Sequence, residues 1–268
     1  MKLKEIHLKG YKSIEGETGQ IIPFGDVTVL LGANGSGKSN LVSFFKMLNS
    51  MMTGAFQQYV GKQGVSRLLF YGPKQTESMS FELLFESDQS CGTYEVKLSH
   101  GLPERLFIQA EKVTYCGEGA NRPQEYFLAN GSAELELKND QRPTSKALYG
   151  FLSGIRTYQF HDTSDTAKIK DRGYVDDARY LRSDAGNLAA FLKMLKEHDD
   201  YKKYYDRIVR HIQRVMPQFE DFDLESIPGN NDYVRLNWKD NTGSDYLFGP
   251  DQISDGSLRF MALATLLL

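Results

Sequence analysis

The chain has 268 residues, 40% hydrophobic and 25% charged, with a formal charge of −3. That length buries a sizeable core as one large domain or two modest ones, and the composition excludes a disordered chain. No apolar run reaches the roughly 20 residues that span a bilayer, and a slightly acidic balance leaves nucleic-acid binding to a local patch.

The first residues, Met1-Lys2-Leu3-Lys4-Glu5, carry no signal-peptide apolar stretch. Cys91 and Cys116 have no metal-ligand spacing. Both features point to a cytoplasmic protein with free thiols and no membrane partner. Leu3 to Leu8 alternates like a strand. Asp26 to Leu31 is short, apolar and β-branched, which predicts a buried strand. After it, Leu41, Phe45, Leu48 and Met52 recur at helical spacing, with Phe44 and Met51 widening the stripe. Residues 78–138 read as an antiparallel meander: Met79, Phe81, Leu83 and Phe85 alternate with polar residues, as do Tyr94, Val96 and Leu98. A turn at Asn130-Gly131 precedes a further expected strand through Leu135 and Leu137. Ile155 to Phe160 predicts another strand, and residues 164–186 a polar loop. Helices follow over Asn187 to His198 and about Tyr201 to Met216, the second stopped by Pro217. Val234, Leu236 and Trp238 alternate in one more strand. The apolar run Leu258 to Leu268 predicts a final helix capped by Ser254.

Between the Asp26–Leu31 segment and the first helix stands Gly32-Ala33-Asn34-Gly35-Ser36-Gly37-Lys38-Ser39, a complete G-x-x-x-x-G-K-[ST] motif. Glycines let successive backbone N–H groups converge on phosphate oxygens, and a helix N-terminus adds partial positive charge. Lys38 is expected to reach the β- and γ-phosphates of ATP and Ser39 to ligate Mg2+. A strand before the motif and an amphipathic helix after it are the context that phosphate binding requires.

With Asn40 included, Gly32 to Asn40 resembles the Walker A sequence of the RecF/SMC/Rad50 branch of ABC-type ATPases. Ile6 to Ile14 resembles the first strand and turn of that branch. Ile253-Ser254-Asp255-Gly256-Ser257-Leu258-Arg259 resembles its signature motif. Tyr158 to Ser164 and Leu181 to Leu192 are similar to bacterial AAA15-type ATPases. The resemblance implies an α/β P-loop NTPase fold: one ABC-ATPase-like head over residues 1–268, with an antiparallel β meander and an inserted helical region. Within it lie a strand–helix unit at 1–60, the β lobe at 78–138, the loop and helical insertion at 164–216, and strands with the signature helix at 219–268. It further implies a homodimer formed as a head-to-tail ATP sandwich. In that arrangement Ser254, Asp255, Gly256 and Ser257 of one subunit cap the γ-phosphate held by the other. Gln159 is implied as a catalytic magnesium or water ligand, with His161 a competitor. Lys12 and Ser13 are implied near the base or α-phosphate.

A Walker B motif needs an apolar run ending in an acidic pair. Tyr174-Val175-Asp176-Asp177 follows Arg172-Gly173, and Phe219-Glu220-Asp221-Phe222-Asp223 is too polar. In the family Walker B follows the signature helix, so the chain reads as a head that stops before it, able to bind ATP with weak or no hydrolysis. On the second long helix, Tyr201, Tyr205, Ile208, Ile212 and Val215 predict a buried stripe. Lys203, Arg207, Arg210 and Arg214 fall nearly opposite, as a solvated face or a track for a nucleic-acid backbone. Two functions follow. One is an ATPase head whose nucleotide-driven dimerisation acts on DNA or a partner effector. The other is a nucleotide sensor that binds ATP to assemble a complex without turnover.

Overall fold

In the computed structural model, Lys2–Lys9 forms strand β1 with Ile6 and Leu8 buried, as the alternation predicts. The structure describes residues 1–87, 90–117, 122–227, 229–243 and 245–268. Residues 88, 89 and 118–121 of the expected 78–138 meander therefore lie outside the described residues. The chain divides into two units, Met1–Arg156 and Thr157–Leu268, each with its own apolar core.

In the first unit, β2 (Gln20–Pro23), β3 (Ser78–Ser87), β4 (Ser90–Gly101), β5 (Arg105–Gly117) and β6 (Gln124–Ala129) join β1 in a six-stranded sheet of order β2-β1-β3-β4-β5-β6. Every neighbouring pair is antiparallel, and β3 to β6 run as the expected meander. Helix α1 (Lys38–Met52) buries Leu41, Phe44, Met47, Leu48, Met51 and Met52. Each such side chain contributes about 1.5–3 kcal/mol of apolar burial. Phe44 meets Phe81 edge-on, with ring centroids 5.2 Å apart, which ties α1 to the sheet. Helices α2 (Phe56–Gln63), α3 (Val65–Leu68) and α4 (Pro143–Ser153) complete this unit and carry no motif that sequence reading singled out.

Three expected strands do not form. Residues 26–31 lie outside every sheet, with Val27 84%, Val29 71% and Leu31 88% exposed. A short β-branched run becomes a strand only when a neighbouring edge hydrogen-bonds to it, and no described strand takes that place. Leu135 and Leu137 are buried, yet their segment is not a strand either. Buried Glu111 instead accepts the backbone N–H of Glu136 (2.8 Å) and Leu137 (3.0 Å), together with the Tyr94 hydroxyl (2.7 Å). A carboxylate pins this segment where ladder bonds were expected. Ile155 to Phe160 also lacks strand structure, and the boundary between the two units falls within it.

The Glu111 clamp carries a stability prediction. Glu111→Ala strands one hydroxyl and two N–H groups in the core, and unmet donors cost about 1–3 kcal/mol each. A loss of roughly 3–5 kcal/mol is expected by urea denaturation, given the usual non-additivity of neighbours. Burial pushes the Glu111 carboxyl above the ordinary glutamate range, against the pull of its donors. A raised acid pKa means that the folded state binds more protons than the unfolded one. This contribution is therefore complete below the unfolded pKa and is lost as pH rises through the folded value. Glu111→Gln should remove that part of the pH dependence.

The second unit holds α5 (Leu188–Glu197), α6 (Asp199–Val215) and α7 (Asp255–Leu267). With them are two small sheets. β7 (Gly173–Tyr174), β9 (Ser226–Ile227) and β10 (Asn230–Val234) form one, and β8 (Phe219–Asp223) pairs with β11 (Asn237–Asp240) in the other. Val234, Leu236 and Trp238 are all buried, as their alternation suggests. They do not share one strand, however: Val234 closes β10 and Trp238 lies in β11, in different sheets. Trp238 stacks between Phe219 and Phe248, an aromatic cluster that fixes β11 on β8. Asn187 is almost fully buried, taking the Arg182 N–H and donating to the carbonyls of Asp177 and Tyr180. It thereby ties the preceding loop to the start of α5. Among the described residues no helix is long and apolar enough to cross a membrane.

Candidate functional site

In the first unit the phosphate motif leads straight into α1. Gly35 (φ +84°) and Gly37 (φ +90°) sit in the left-handed region, where a side chain would be strained. At Gly32 an added Cβ would stand 2.7 Å from the Ser36 hydroxyl. These positions explain why the loop needs glycine for its own shape. Gly37 caps α1 without a side-chain hydrogen bond, and no acidic residue occupies the first turn. The Asn40 N–H closes onto the Gly37 carbonyl (2.9 Å), while the N–H groups of Lys38 and Ser39 are left to a ligand at the helix's unopposed positive dipole end.

The Lys38 ammonium folds over this loop, donating to the carbonyls of Gly32 and Ala33 (2.7 Å each) and to the Ser36 hydroxyl at 3.2 Å. It thus holds a cation at the mouth of the loop, on oxygens it can exchange for phosphate oxygens. Ser39 follows, exposed in the first helical turn. The set suits a nucleotide phosphate chain. It also suits Mg2+, which keeps several waters and needs few protein ligands. Ser39 would offer such an ion one exposed hydroxyl.

Lys12 and Ser13 are brought to the same place. Asn40, in the first turn of α1, donates to the Ser13 hydroxyl at 2.6 Å. The Lys12 ammonium donates to Ser43, one turn further along α1, at 2.6 Å. Ser43 also bonds the hydroxyl of buried Tyr11. Lys12 has φ +51°, an unusual backbone for a side-chain-bearing residue, held by its N–H bond to the Leu68 carbonyl. Burial and the nearby charge of Lys46 hold its ammonium below the ordinary lysine range. An arriving phosphate would reverse that shift. The contact of this turn with α1 depends on Tyr11 and Ser43, which the motif spacing did not reveal.

The remaining expected residues belong to the second unit. Ser254 is the N-cap of α7, accepting the Ser257 N–H at 3.2 Å and bonding the Ser257 hydroxyl at 2.9 Å. Asp255 occupies the first turn, where its charge favours the helix dipole. Gly256 has helical backbone angles, and a Cβ there would meet nothing within 4 Å. This unit's own packing therefore gives no reason for glycine at that position.

The Gln159 N–H bonds the Ser183 carbonyl (2.7 Å), and its side-chain amide meets the His161 ring nitrogen at 2.5 Å. Arg259, one turn into α7, donates to the His161 carbonyl (2.8 Å) and to the Thr163 hydroxyl (3.3 Å). The stretches Tyr158–Ser164 and Leu181–Leu192 thus meet, and Arg259 ties the first to α7. The place of Arg259 in the motif gives no sign of these two bonds. Asp221 and Asp223 on β8 are already committed, Asp221 to Lys196 and Tyr205 and Asp223 to Lys239.

On α6 the buried stripe is Tyr205, Ile208, Val209 and Ile212. Tyr201 (47% exposed) and Val215 (53%) lie off it, contrary to expectation, because they occupy the helix's outermost turns. Lys203, Arg207, Arg210 and Arg214 are all exposed. At 1.5 Å per residue they form a row about 16 Å long. Among the described residues none of the four joins an ion pair, whereas Lys193 and Lys196 on α5 both do.

A model for a family described as "AAA domain, putative AbiEii toxin, Type IV TA system" (AAA_21) matches residues 27–268. Among solved structures, an SMC head domain from Thermotoga maritima is similar at 19% identity, covering 99% of this chain and 72% of that one, with a TM-score of 0.38. A Pyrococcus furiosus Smc head domain with an extended coiled coil, bound to the C-terminal domain of ScpA, is similar at 16% identity and TM-score 0.42, covering 98% and 77%. A chain from a study of ATP-driven dimerization and DNA-stimulated activation of SMC ATPases shares 21% identity over 45% of this chain and 73% of that one, at TM-score 0.30. These overlaps are partial, and the family match carries the assignment. With a formed phosphate loop and a match over nearly its whole length, the chain belongs to the AAA_21 family and is an α/β P-loop ATPase domain.

Proposed function

We propose that this domain is an ATP-driven switch, with both units belonging to one nucleotide-binding head. ATP–magnesium binds at Gly32 to Asn40, with Lys12 and Ser13 alongside. Two copies then pair head to tail, so that Ser254, Asp255, Gly256 and Ser257 of one meet the γ-phosphate held by the other. Gln159 is assigned a magnesium- or water-ligand role. The observation that carries this reading is the phosphate loop itself: an uncapped helix start, left-handed glycines and a lysine ammonium resting on exchangeable oxygens. Gly256 supports the pairing step, since it leaves open space where a phosphate could reach the helix backbone.

The test is titration of the chain with ATP–magnesium by calorimetry, followed by light scattering with a non-hydrolysable ATP analogue. Saturable binding followed by a doubling of mass is expected. Binding without pairing would instead identify a nucleotide sensor. Ser39→Ala should weaken binding about tenfold with magnesium present and far less in a chelator, because its contribution is one coordination bond. Equal losses in both conditions would remove the metal-ligand role.

The paired state acts on DNA or a partner effector, and the unpaired cations of α6 favour a polyphosphate backbone. Replacing Arg207, Arg210 and Arg214 together by glutamate should weaken duplex DNA binding by about tenfold or more and flatten its salt dependence. An unchanged salt slope would assign the row to solvent. Surface charge reversal leaves the buried α6 stripe intact, so helix content should not change.

A further inference from the structure

The only two cysteines of the chain are Cys91 and Cys116. Twenty-four residues separate them in sequence, yet they are direct register partners across β4 and β5. The pairing there is well fixed. Eight consecutive pairs, from Ser90 opposite Gly117 to Lys97 opposite Ala110, run without a register shift. Residues directly opposite in an antiparallel pair project from the same face, with Cβ atoms about 4.5–5.5 Å apart. A disulfide needs Cα atoms about 4.4–6.8 Å apart and Cβ atoms near 4 Å, a range that directly opposed residues reach with a small closing of the strands, once the Cys116 thiol turns from the Gly117 carbonyl to which it donates at 4.0 Å.

The face matters too. Tyr94, Val96 and Val113 point into the core, as do Phe85 and half-buried Tyr115, which lie in the rows flanking the cysteine pair. Cys91 and Cys116 therefore lie on the opposite, outer face of the sheet. Cys91 is exposed and Cys116 half-buried, and they are not joined. The carboxylate opposite Cys91, Glu86, is held by Lys4 at 2.7 Å.

From this geometry we propose that Cys91 and Cys116 form a reversible dithiol site, oxidised to a cross-strand disulfide by hydroperoxides. Exposed Cys91 reacts first: its thiolate attacks one peroxide oxygen, the O–O bond breaks, and the leaving hydroxide is protonated to water. Cys91 becomes a sulfenic acid. The Cys116 thiolate then attacks the Cys91 sulfur, the S–S bond forms, and hydroxide leaves and takes a proton. Overall two thiols and one hydrogen peroxide give one disulfide and two waters, the sulfurs losing two electrons and the peroxide gaining them. A thiol reductant restores the dithiol. This chemistry is independent of the phosphate loop.

The experiment treats the intact chain with hydrogen peroxide and reads alkylatable thiols, intact mass and peptide map. Both thiols should disappear together, with loss of two hydrogens, a Cys91–Cys116 linked peptide, a rate independent of protein concentration, and full recovery with dithiothreitol. In Cys116→Ser, dimedone should trap the Cys91 sulfenic acid. In Cys91→Ser, Cys116 should react several-fold more slowly. Circular dichroism of both variants should match the wild type, since neither cysteine supports the core. Urea-unfolded chain should cross-link several-fold more slowly, because only the sheet register brings the two together. Linkage only between chains, persistence of both thiols, or an equal rate in urea would each overturn the proposal.

Discussion

Lys38→Ala is expected to weaken ATP–magnesium binding by about 100-fold or more, roughly 2.7 kcal/mol at that factor. Its ammonium now rests on Gly32, Ala33 and Ser36 oxygens of a loop otherwise built from exposed backbone. On binding, those bonds exchange for charge-assisted bonds to phosphate, about twice as strong as neutral ones. Alanine removes that gain and leaves the phosphate charge to the loop N–H groups and Lys12. The loss should appear in affinity and not in folding, because the loop is exposed and α1 is anchored by Leu41, Phe44, Met47 and Leu48 on its far side. Calorimetry on the variant, paired with its thermal midpoint, separates the two. Unchanged affinity in a folded variant would end the phosphate-loop assignment. Lys12→Ala offers a contrast: its loss should be smaller and pH-dependent. Because its ammonium is held below the ordinary lysine range, binding a phosphate takes up a proton, so wild-type affinity should rise as pH falls through that depressed value. The variant should lose this slope.

Gly256→Asp is expected to abolish ATP-driven pairing while leaving the single chain intact. Gly256 has helical angles, lies in the first turn of α7 and has no neighbour within 4 Å of an added Cβ. Aspartate there has a better helix propensity than glycine and a favourable dipole position, so stability should stay level or rise slightly. In a pair, the new carboxylate would face the γ-phosphate in a desolvated contact, where a like-charge clash costs several kcal/mol. Dimer affinity with a non-hydrolysable analogue should fall by about 100-fold or more by light scattering, with the affinity for nucleotide unchanged. Normal pairing by the variant would remove α7 from the composite site. Loss of nucleotide binding itself would show that Gly256 serves the phosphate loop of its own chain.

Local chemistry was legible from the sequence. Glycine spacing and the lysine fixed the phosphate loop, because left-handed backbone and an uncapped helix start are properties of a few adjacent residues. Periodicity placed α1, α5, α6 and α7, and Ser254 marked the α7 start, since 3.6-residue repeats and caps are also short-range. The meander was visible in its two-residue alternation.

What the sequence could not determine was everything that needs a distant partner. Residues 26–31 have the composition of a buried strand, yet they stand exposed without a neighbouring edge. The backbone at Glu136 and Leu137 is held by a carboxylate from β5 in place of a strand ladder, and Val234 and Trp238 belong to different sheets despite one alternating pattern. Only the tertiary structure seats the Lys12 turn on α1 through Ser43 and Asn40. Register likewise decides that Cys91 faces Cys116 across a sheet. Strand pairing and burial are contacts between segments far apart in the chain, and a local pattern specifies which residues can make them without specifying which partner they find.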